Sequence, residues 1–290
     1  MQDINAPIGI IAGGGAIPLH IAELLAERRA QFVVIMLDGN ADERLAAFEH
    51  GRFGLGQPGP IVRHLRDRGV RTVVLVGSVS GRPDIGQLRP DLTTLRFLRH
   101  YLAGRGRGDD ALLRMVVGIL QSEGFAVAGV HELEPDLLAP VGPLGRRPVA
   151  KGEATALEVG ARAAHALGAI DAGQAVVVIG RRVVALEGAE GTDAMLERVA
   201  DLRGAGRLSN RKGGVLVKLR KPGQDMRVDL PTIGVGTVQR AAAARLAGIA
   251  VHGENTLIVD RQATIEAADA AGLFLIGLDP NGLDGPPAWQ

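Results

Sequence analysis

The chain has 290 residues, 46% of them hydrophobic, and its 33 basic and 32 acidic side chains leave a net charge of +1. This composition argues against disorder, and the length suggests about two domains. The near-neutral charge argues against nucleic acid as the main partner. The absence of cysteine excludes a disulfide framework, a thiolate zinc site and a cysteine nucleophile.

The first half of the chain alternates apolar runs typical of buried strands with amphipathic segments typical of helices. Strands are predicted at Ile8–Ala12, Phe32–Leu37, Val70–Val76 and Phe125–Val130. Helices are predicted after the first glycine cluster and over Ile61–Arg68, Leu92–Leu102 and Ala111–Glu123. Near-continuous apolar strands separated by helices indicate a parallel sheet covered on both faces. Residues 1–133 are therefore expected to form a Rossmann-like, doubly wound α/β domain.

Prolines and glycines concentrate in residues 134–150, which we interpret as a linker. Beyond it, helices are predicted over Lys151–Leu167, Met195–Leu202, Val238–Leu246 and Ile265–Ala271. A hairpin is predicted over Ala175–Leu186, with further strands at Val215–Arg220, Ile249–Val251, Thr256–Val259 and Leu273–Ile276. Residues 151–290 are thus expected to form a C-terminal mixed α/β domain.

The first predicted strand runs into three glycines, Gly13, Gly14 and Gly15. Glycines at a helix start let backbone amides approach an anion, so we interpret this loop as a phosphate or nucleotide contact. A dinucleotide fingerprint is the alternative, with Asp38 as the ribose carboxylate, but Pro18 stands where the third glycine belongs. A tight turn without function also stays open.

Two further loops carry candidate ligand-binding groups. Ser78 and Ser80 follow the third predicted strand, on the same rim of the sheet as the glycine loop. They could bind a ligand or belong to a solvated turn. Asp109 and Asp110 open the helix at Ala111, where capping is the common role and a divalent ion or a sugar hydroxyl is the functional one.

Lysine is rare in this chain, which has only four lysines among its 33 basic residues. Three of them, Lys212, Lys218 and Lys221, fall within ten residues of each other. A compact ammonium suits phosphate, so we predict that at least one of the three contacts it. An ordinary basic strand is the alternative.

Carboxylates follow the lysines at once. If the segment from Asp225 to Leu230 is extended, Asp225, Arg227 and Asp229 share one face. Cations that hold phosphate, and carboxylates that hold Mg²⁺ or orient water, are the parts that phosphoryl chemistry needs. A plain surface ladder of charges is the alternative. A P-loop and a His-Glu-x-x-His zinc motif are both absent from the sequence.

Five motifs, in order along nearly the whole chain, resemble those of the LpxI family, the UDP-2,3-diacylglucosamine pyrophosphatases of lipid A synthesis. They are Ile11–Gly15, Gly77–Val79, Gly108–Asp110, Glu187–Asp193 and, most specific, Lys221–Gly234. The resemblance implies hydrolysis of the pyrophosphate bond of UDP-2,3-diacylglucosamine to UMP and 2,3-diacylglucosamine 1-phosphate (lipid X). It also implies a divalent ion, Mg²⁺ or Mn²⁺, and Asp225 as the essential carboxylate.

We therefore expect Asp225 to be catalytic, with Asp225 and Asp229 as the metal ligands. The residues expected to bind substrate are Gly13, Gly14, Gly15, Ser78, Ser80, Asp109, Asp110, Thr192, Asp193, Lys212, Lys218, Lys221, Gln224, Arg227 and Thr232.

The expected partner is a lipid-linked UDP-sugar, with at most transient contact with the inner membrane surface and with a homodimer left open. The N-terminal segment lacks a targeting pattern, so a soluble, cytoplasmic protein is expected, with peripheral membrane association left open. Two other functions remain as alternatives. One is a non-catalytic nucleotide-sugar-binding protein, and the other is an NAD-dependent oxidoreductase.

Overall fold

Five strands of the first half of the chain form one sheet in the computed structural model, which describes residues 6–79, 81, 94 and 109–279. The strands are β1 (Ile8–Ala12), β2 (Phe32–Leu37), β3 (His50–Phe53), β4 (Thr72–Val76) and β5 (Ala126–Ala128), in the order β3-β2-β1-β4-β5. All of their pairings are parallel. The predicted Rossmann-like parallel sheet is therefore confirmed.

Helices follow these strands, and the first three lie where the sequence predicts helices, whereas the short fourth helix and a 3₁₀ helix are not predicted. They are α1 (Ile17–Glu27), α2 (Pro58–Asp67), α3 (Asp109–Ser122) and α4 (Val130–Leu133), with a short 3₁₀ helix at Glu43–Ala47. Pro18 lies in the first turn of α1, where its missing N–H leaves no hydrogen bond unmade. The helix predicted over Leu92–Leu102 lies outside the described residues, Thr94 apart.

Branched aliphatic side chains fill the core of this first sheet. Ile35, Leu65 and Val73 are fully buried in one cluster, and burial of each such side chain contributes roughly 1.5–3 kcal/mol. Val228, from much later in the chain, packs against the same cluster. This contact ties a distant segment to the first sheet.

The chain accordingly divides into two compact units. Unit 1 comprises Met1–Pro135 together with Asp225–Asp229, and unit 2 comprises Asp136–Gln224 and Leu230–Gln290. This division differs from the sequence-based one, which assigns all of residues 151–290 to the C-terminal domain. The residues interpreted as a linker, 134–150, carry a 3₁₀ turn at Pro135–Leu137 and a short strand.

Unit 2 contains a six-stranded mixed sheet. Its strands are β6 (Gly142–Pro143), β7 (Ala175–Ile179), β8 (Arg182–Leu186), β9 (Val215–Lys218), β11 (Gly248–His252) and β13 (Phe274–Leu278). Their order in the sheet is β6-β13-β11-β9-β7-β8. The three strands β9, β11 and β13 are parallel to one another, and the remaining pairings are antiparallel. The predicted hairpin is present as β7 and β8, and the mixed α/β class is confirmed.

Four helices accompany this sheet in the described part of unit 2. They are α5 (Lys151–Ala169), α6 (Gly191–Gly204), α7 (Val235–Ala243) and α8 (Arg261–Ala270). Two short strands, β10 (Thr232–Ile233) and β12 (Leu257–Ile258), pair in parallel outside the main sheet. Across the residues that the structure describes, no helix combines the length and apolar character needed to cross a bilayer.

Candidate active site

The glycine loop of unit 1 is bonded to the loop that follows β4. The Gly13 N–H donates to the Val76 carbonyl at 2.8 Å, and the Gly14 N–H donates to the Ser78 carbonyl at 2.7 Å. The close approach needs glycine, because a Cβ at Gly13 would lie 2.4 Å from the Ser78 oxygen. Two of the three amides predicted to bind an anion therefore already serve the protein. Gly15, with a φ of +92° and open space around it, differs from both.

Three of the predicted site residues of unit 1 lie wholly or partly outside the part of the chain that the structure describes. Ser80 lies outside the described residues. Asp109 and Asp110 form the first turn of α3, but the described part of the structure does not extend to their side chains.

The Asp225–Asp229 segment is a tight turn, so the expectation of an extended segment is wrong. The Val228 and Asp229 N–H groups donate to the Asp225 carbonyl at 3.2 and 3.1 Å. The second of these is an i to i+4 bond, which brings residues four apart to one side of a helical turn. Asp225 and Asp229 therefore still share a side, for a reason different from strand alternation.

Arg227 binds the carboxylate of Asp225. Its backbone N–H and its Nε each donate to Oδ1 at 3.0 Å, and its Nη2 donates to Oδ2 at 2.7 Å. These side-chain bonds lower the pKa of Asp225, while burial opposes the shift and the charge of Arg114 assists it. The same bonds raise the pKa of Arg227, and the charge of Glu132 adds to the rise. Asp225 is thus ionised at neutral pH.

The segment after β5 lies beside this turn, and the sequence analysis missed it. A Cβ at Gly129 would lie 2.4 Å from Cε1 of His131 and 3.2 Å from the Cα of Arg227. His131 Nδ1 is buried and has no hydrogen-bond partner among the described residues. One feature of the sequence does indicate this segment: Gly129 follows a parallel strand, at the edge of the sheet where the glycine loop also lies.

Lys218 ends β9 in unit 2 and is buried, with Nζ donating to the Thr232 carbonyl at 3.0 Å. Lys221 donates to Asp171 Oδ1 at 2.8 Å. Gln224 is also buried, and its Oε1 accepts the Lys221 N–H at 3.0 Å across the Pro-Gly turn. Lys218 with Thr232 and Lys221 with Gln224 thus form two hydrogen-bonded pairs in the region at and just beyond the carboxyl end of β9.

Lys212 lies apart from that region. It precedes β9, and its Nζ donates to the carbonyls of Ala271 and Gly272 at 2.7 and 2.8 Å. Cations at a helix C-terminus are stabilising, because unpaired carbonyls lie there. The structure thus places Lys212 and Lys218 at opposite ends of β9 and gives Lys212 a contact at the end of α8.

Thr192 and Asp193 lie in the first turn of α6 and have protein partners. Thr192 Oγ1 donates to Glu187 Oε1 at 2.5 Å, and Glu187 Oε2 accepts the Gln174 N–H. Asp193 forms an ion pair with Arg240 at 3.4 Å. These contacts fix the loop that carries the Glu187–Asp193 motif.

Arg220 and His252 are two further polar residues at the carboxyl edge of the second sheet. The Arg220 N–H donates to His252 Nδ1 at 3.3 Å, and Arg220 Nη1 donates to the Gln224 carbonyl at 3.2 Å. Sequence alone could not pair them, because they lie 32 positions apart. Among the described residues, no group of three or more His, Asp or Glu forms a ready-made metal cage.

Comparison with known proteins shows which family this chain resembles. The profile of the LpxI N-terminal domain matches residues 7–137, and that of the LpxI C-terminal domain matches residues 140–276. The UDP-2,3-diacylglucosamine pyrophosphatase LpxI of Caulobacter vibrioides is 43% identical over 274 residues, which cover 94% of this chain and 98% of that protein.

Solved structures show much weaker likeness. The UDP-glucose 4-epimerase of Thermus thermophilus, in complex with NAD, is 14% identical, covers 96% of this chain and 88% of its own, and has a TM-score of 0.30. The Bordetella bronchiseptica enzyme WbmG, in complex with NAD and UDP, is 11% identical, with 93% and 96% covered and a TM-score of 0.31. Scores this low establish neither a shared fold nor a shared function.

Proposed function

The chain belongs to the LpxI family, and from that premise we propose that it hydrolyses the pyrophosphate bond of UDP-2,3-diacylglucosamine. The products are UMP and 2,3-diacylglucosamine 1-phosphate, a step of lipid A synthesis. The observation that carries this proposal is that the two family profiles together match residues 7–137 and 140–276. The Asp225–Asp229 turn supports it with an ionised carboxylate beside a guanidinium.

Hydrolysis of a diphosphate requires positive charge near the phosphates and a group that orients the attacking water. Arg227 supplies charge at Asp225, and Arg114 adds to the local potential. Asp225, held ionised, is suited to accept a hydrogen bond from water. In unit 2, Lys218 supplies a buried ammonium, which suits a phosphate oxygen.

Magnesium or manganese fits the donor set of the turn. Mg²⁺ is commonly held by one or two carboxylates together with substrate phosphate oxygens. Asp225 and Asp229, on one side of the i to i+4 turn, are carboxylates of that kind. When bound, the ion would neutralise charge on the diphosphate. The chain's own residues would then orient the water and hold the substrate.

The remaining predicted residues stay proposals for substrate binding. Gly15 has open space around it, and Lys218 and Gln224 are buried. Lys221, Arg227 and Thr232 are partly buried and have the hydrogen bonds described above. The two acyl chains of the substrate imply that it comes from a membrane. We propose a cytoplasmic enzyme that has at most transient contact with the inner membrane surface.

The direct test is to incubate the purified protein with UDP-2,3-diacylglucosamine and to measure UMP, with Mg²⁺, with Mn²⁺ and with EDTA. Release of UMP that depends on the metal and on Asp225 is expected. The matched control is Asp42→Asn, which removes an equivalent carboxylate elsewhere in unit 1. Tight binding of substrate without any UMP would favour the nucleotide-sugar-binding alternative. A response to NAD instead would favour the oxidoreductase.

A further inference from the structure

Arg227 occupies both oxygens of the carboxylate to which the proposed function assigns a divalent ion. Two donors of Arg227 reach Oδ1 and a third reaches Oδ2, at distances of 2.7 to 3.0 Å. Charge-assisted, two-pronged bonds of this kind are among the stronger polar contacts in proteins. A metal ion at Asp225 would therefore have to compete with the guanidinium.

The side chain of Arg227 is able to leave while the turn stays in place. Val228 packs against the core of the first sheet, and the backbone N–H of Arg227 holds Oδ1 independently of the guanidinium. The Arg227 side chain is 36% exposed to solvent, so a ligand can reach it. Its planar fork of donors matches phosphate as well as carboxylate.

We propose that Arg227 is a gating residue that blocks Asp225 from the metal until the diphosphate of the substrate draws the guanidinium away. Arg227 then passes from the carboxylate to a phosphate oxygen, and Asp225 becomes free to bind the ion. Substrate and metal would consequently bind with positive coupling, since each favours the displaced position of Arg227. This inference relies on the proposed function for the diphosphate nature of the substrate and for the divalent ion at Asp225.

The first test measures Mn²⁺ binding to the full chain by electron paramagnetic resonance, with no substrate present. Arg227→Gln is expected to bind Mn²⁺ at least about fivefold more tightly than wild type, because the competitor is gone. Its hydrolysis is expected to fall, so affinity and activity move in opposite directions. The control is Arg44→Gln, which breaks an Asp-x-Arg pair of the same geometry and should leave Mn²⁺ affinity within twofold.

A third variant, Asp225→Asn with Arg227→Gln, should lose the gain in affinity. Equal or weaker Mn²⁺ binding by Arg227→Gln would overturn the proposal, as would undetectable binding by all variants at millimolar Mn²⁺. Thermal unfolding of each variant shows whether it is folded. Absence of UMP release by wild type would count against the proposed function alone, because the Mn²⁺ measurement uses no substrate.

The second test measures binding of UDP in EDTA by calorimetry. Asp225→Asn should bind UDP several-fold more tightly than wild type, because the guanidinium is released, and Arg227→Gln should bind more weakly. If the gain comes from release of Arg227, it must vanish in the double variant. A gain of equal size without Arg227 would show that only repulsion by the carboxylate had been removed, and the gate would then be excluded. No UDP binding by any variant would exclude it as well.

Discussion

Unit 1 contains two Asp-x-Arg pairs with nearly the same internal geometry. In Asp42–Arg44, the backbone N–H donates to the carboxylate at 2.9 Å, Nε at 3.1 Å and Nη2 at 2.7 Å. In Asp225–Arg227 the corresponding distances are 3.0, 3.0 and 2.7 Å. Such a pair is local, since both partners lie two residues apart. Its geometry alone therefore says nothing about function.

The surroundings separate the two pairs. The side chains of Arg44 and Asp42 are 70% and 28% exposed, whereas those of Arg227 and Asp225 are 36% and 18% exposed. Asp42 caps a 3₁₀ helix. The Asp225 turn lies against Gly129, and it is influenced by the charges of Arg114 and Glu132. What marks a site is the assembly of distant charged groups around a local pair.

The largest expected difference between the pairs is in catalysis. Asp225→Asn should lower kcat by roughly 10²–10⁴, the magnitude of lost acid–base or metal assistance. Asp42→Asn should leave kcat within twofold. The measurement is UMP release, with thermal unfolding of both variants to confirm the fold. If Asp225→Asn stays within a few-fold of wild type at an unchanged melting temperature, the assignment of the catalytic carboxylate is wrong.

Part of this contrast is visible in the sequence and part is not. The apolar runs predict β1 and β2 with the bounds that the structure has, because buried parallel strands are continuous in hydrophobicity. The edge strand β3, His50–Phe53, lacks such a run and is only partly buried, so it escapes prediction. Long-range neighbours such as Gly129 and Arg227 leave no local pattern at all.

The turn at Asp225–Asp229 shows why a short segment misleads. Charged and apolar residues alternate there, which predicts a strand, and the two acidic residues at positions i and i+4 do not favour a helical turn, because like charges at that spacing repel. Five residues are too few to separate a period of 2 from one of 3.6. Packing of Val228 into the core of unit 1 decides between them.

The contact between Gly129 and the Asp225–Arg227 turn can be tested by filling its space. Gly129 has an ordinary φ of −81°, so Gly129→Ala strains the packing and not the backbone. The new methyl group would meet His131 and the Cα of Arg227. We expect about a tenfold loss of activity and a loss of roughly 1–3 kcal/mol in the free energy of unfolding, measured by UMP release and urea denaturation.

The matched control for this substitution is Gly118→Ala. Gly118 lies in α3 with open space around the added methyl group, so helix propensity should make the change neutral or stabilising by up to about 1 kcal/mol. Full activity and stability of Gly129→Ala would show that the His131 ring yields and that Gly129 does not position the turn.

The three clustered lysines of unit 2 allow a similar comparison between a structural contact and a substrate contact. Lys218→Met should raise KM or lower kcat several-fold if its buried ammonium meets phosphate, and Lys221→Met should have a smaller effect of the same kind. Lys212→Met removes a contact with the end of α8. It should leave both constants unchanged and cost roughly 0.3–1 kcal/mol of stability. Equal, negligible kinetic effects at all three positions would show that none of these lysines contacts phosphate.

The smallest expected effect is the response of the two pairs to acid and salt. The hydrogen bonds from Arg44 lower the pKa of Asp42 from 3.8 to about 2, and those from Arg227 lower the pKa of Asp225 below 3.8. A depressed native pKa stabilises the fold above the unfolded value and loses that contribution as the pH falls through the native one. The free energy of unfolding that Asp42→Asn removes should therefore be constant above about pH 5 and should shrink as the pH falls from about 3.8 to about 2. The free energy of unfolding that Asp225→Asn removes should shrink as the pH falls below 3.8.

Salt then separates the pairs. Exposed charges are screened within a few ångströms at molar salt, and partly buried pairs are screened less. At about pH 6, addition of about 1 M NaCl should remove most of the stability difference between wild type and Asp42→Asn, and less of that between wild type and Asp225→Asn. Both differences are measured by thermal unfolding against the same wild-type curve. Equal sensitivity to salt would mean that the two pairs are equally solvated, and the contrast in surroundings would then have to come from Arg114 and Glu132 alone.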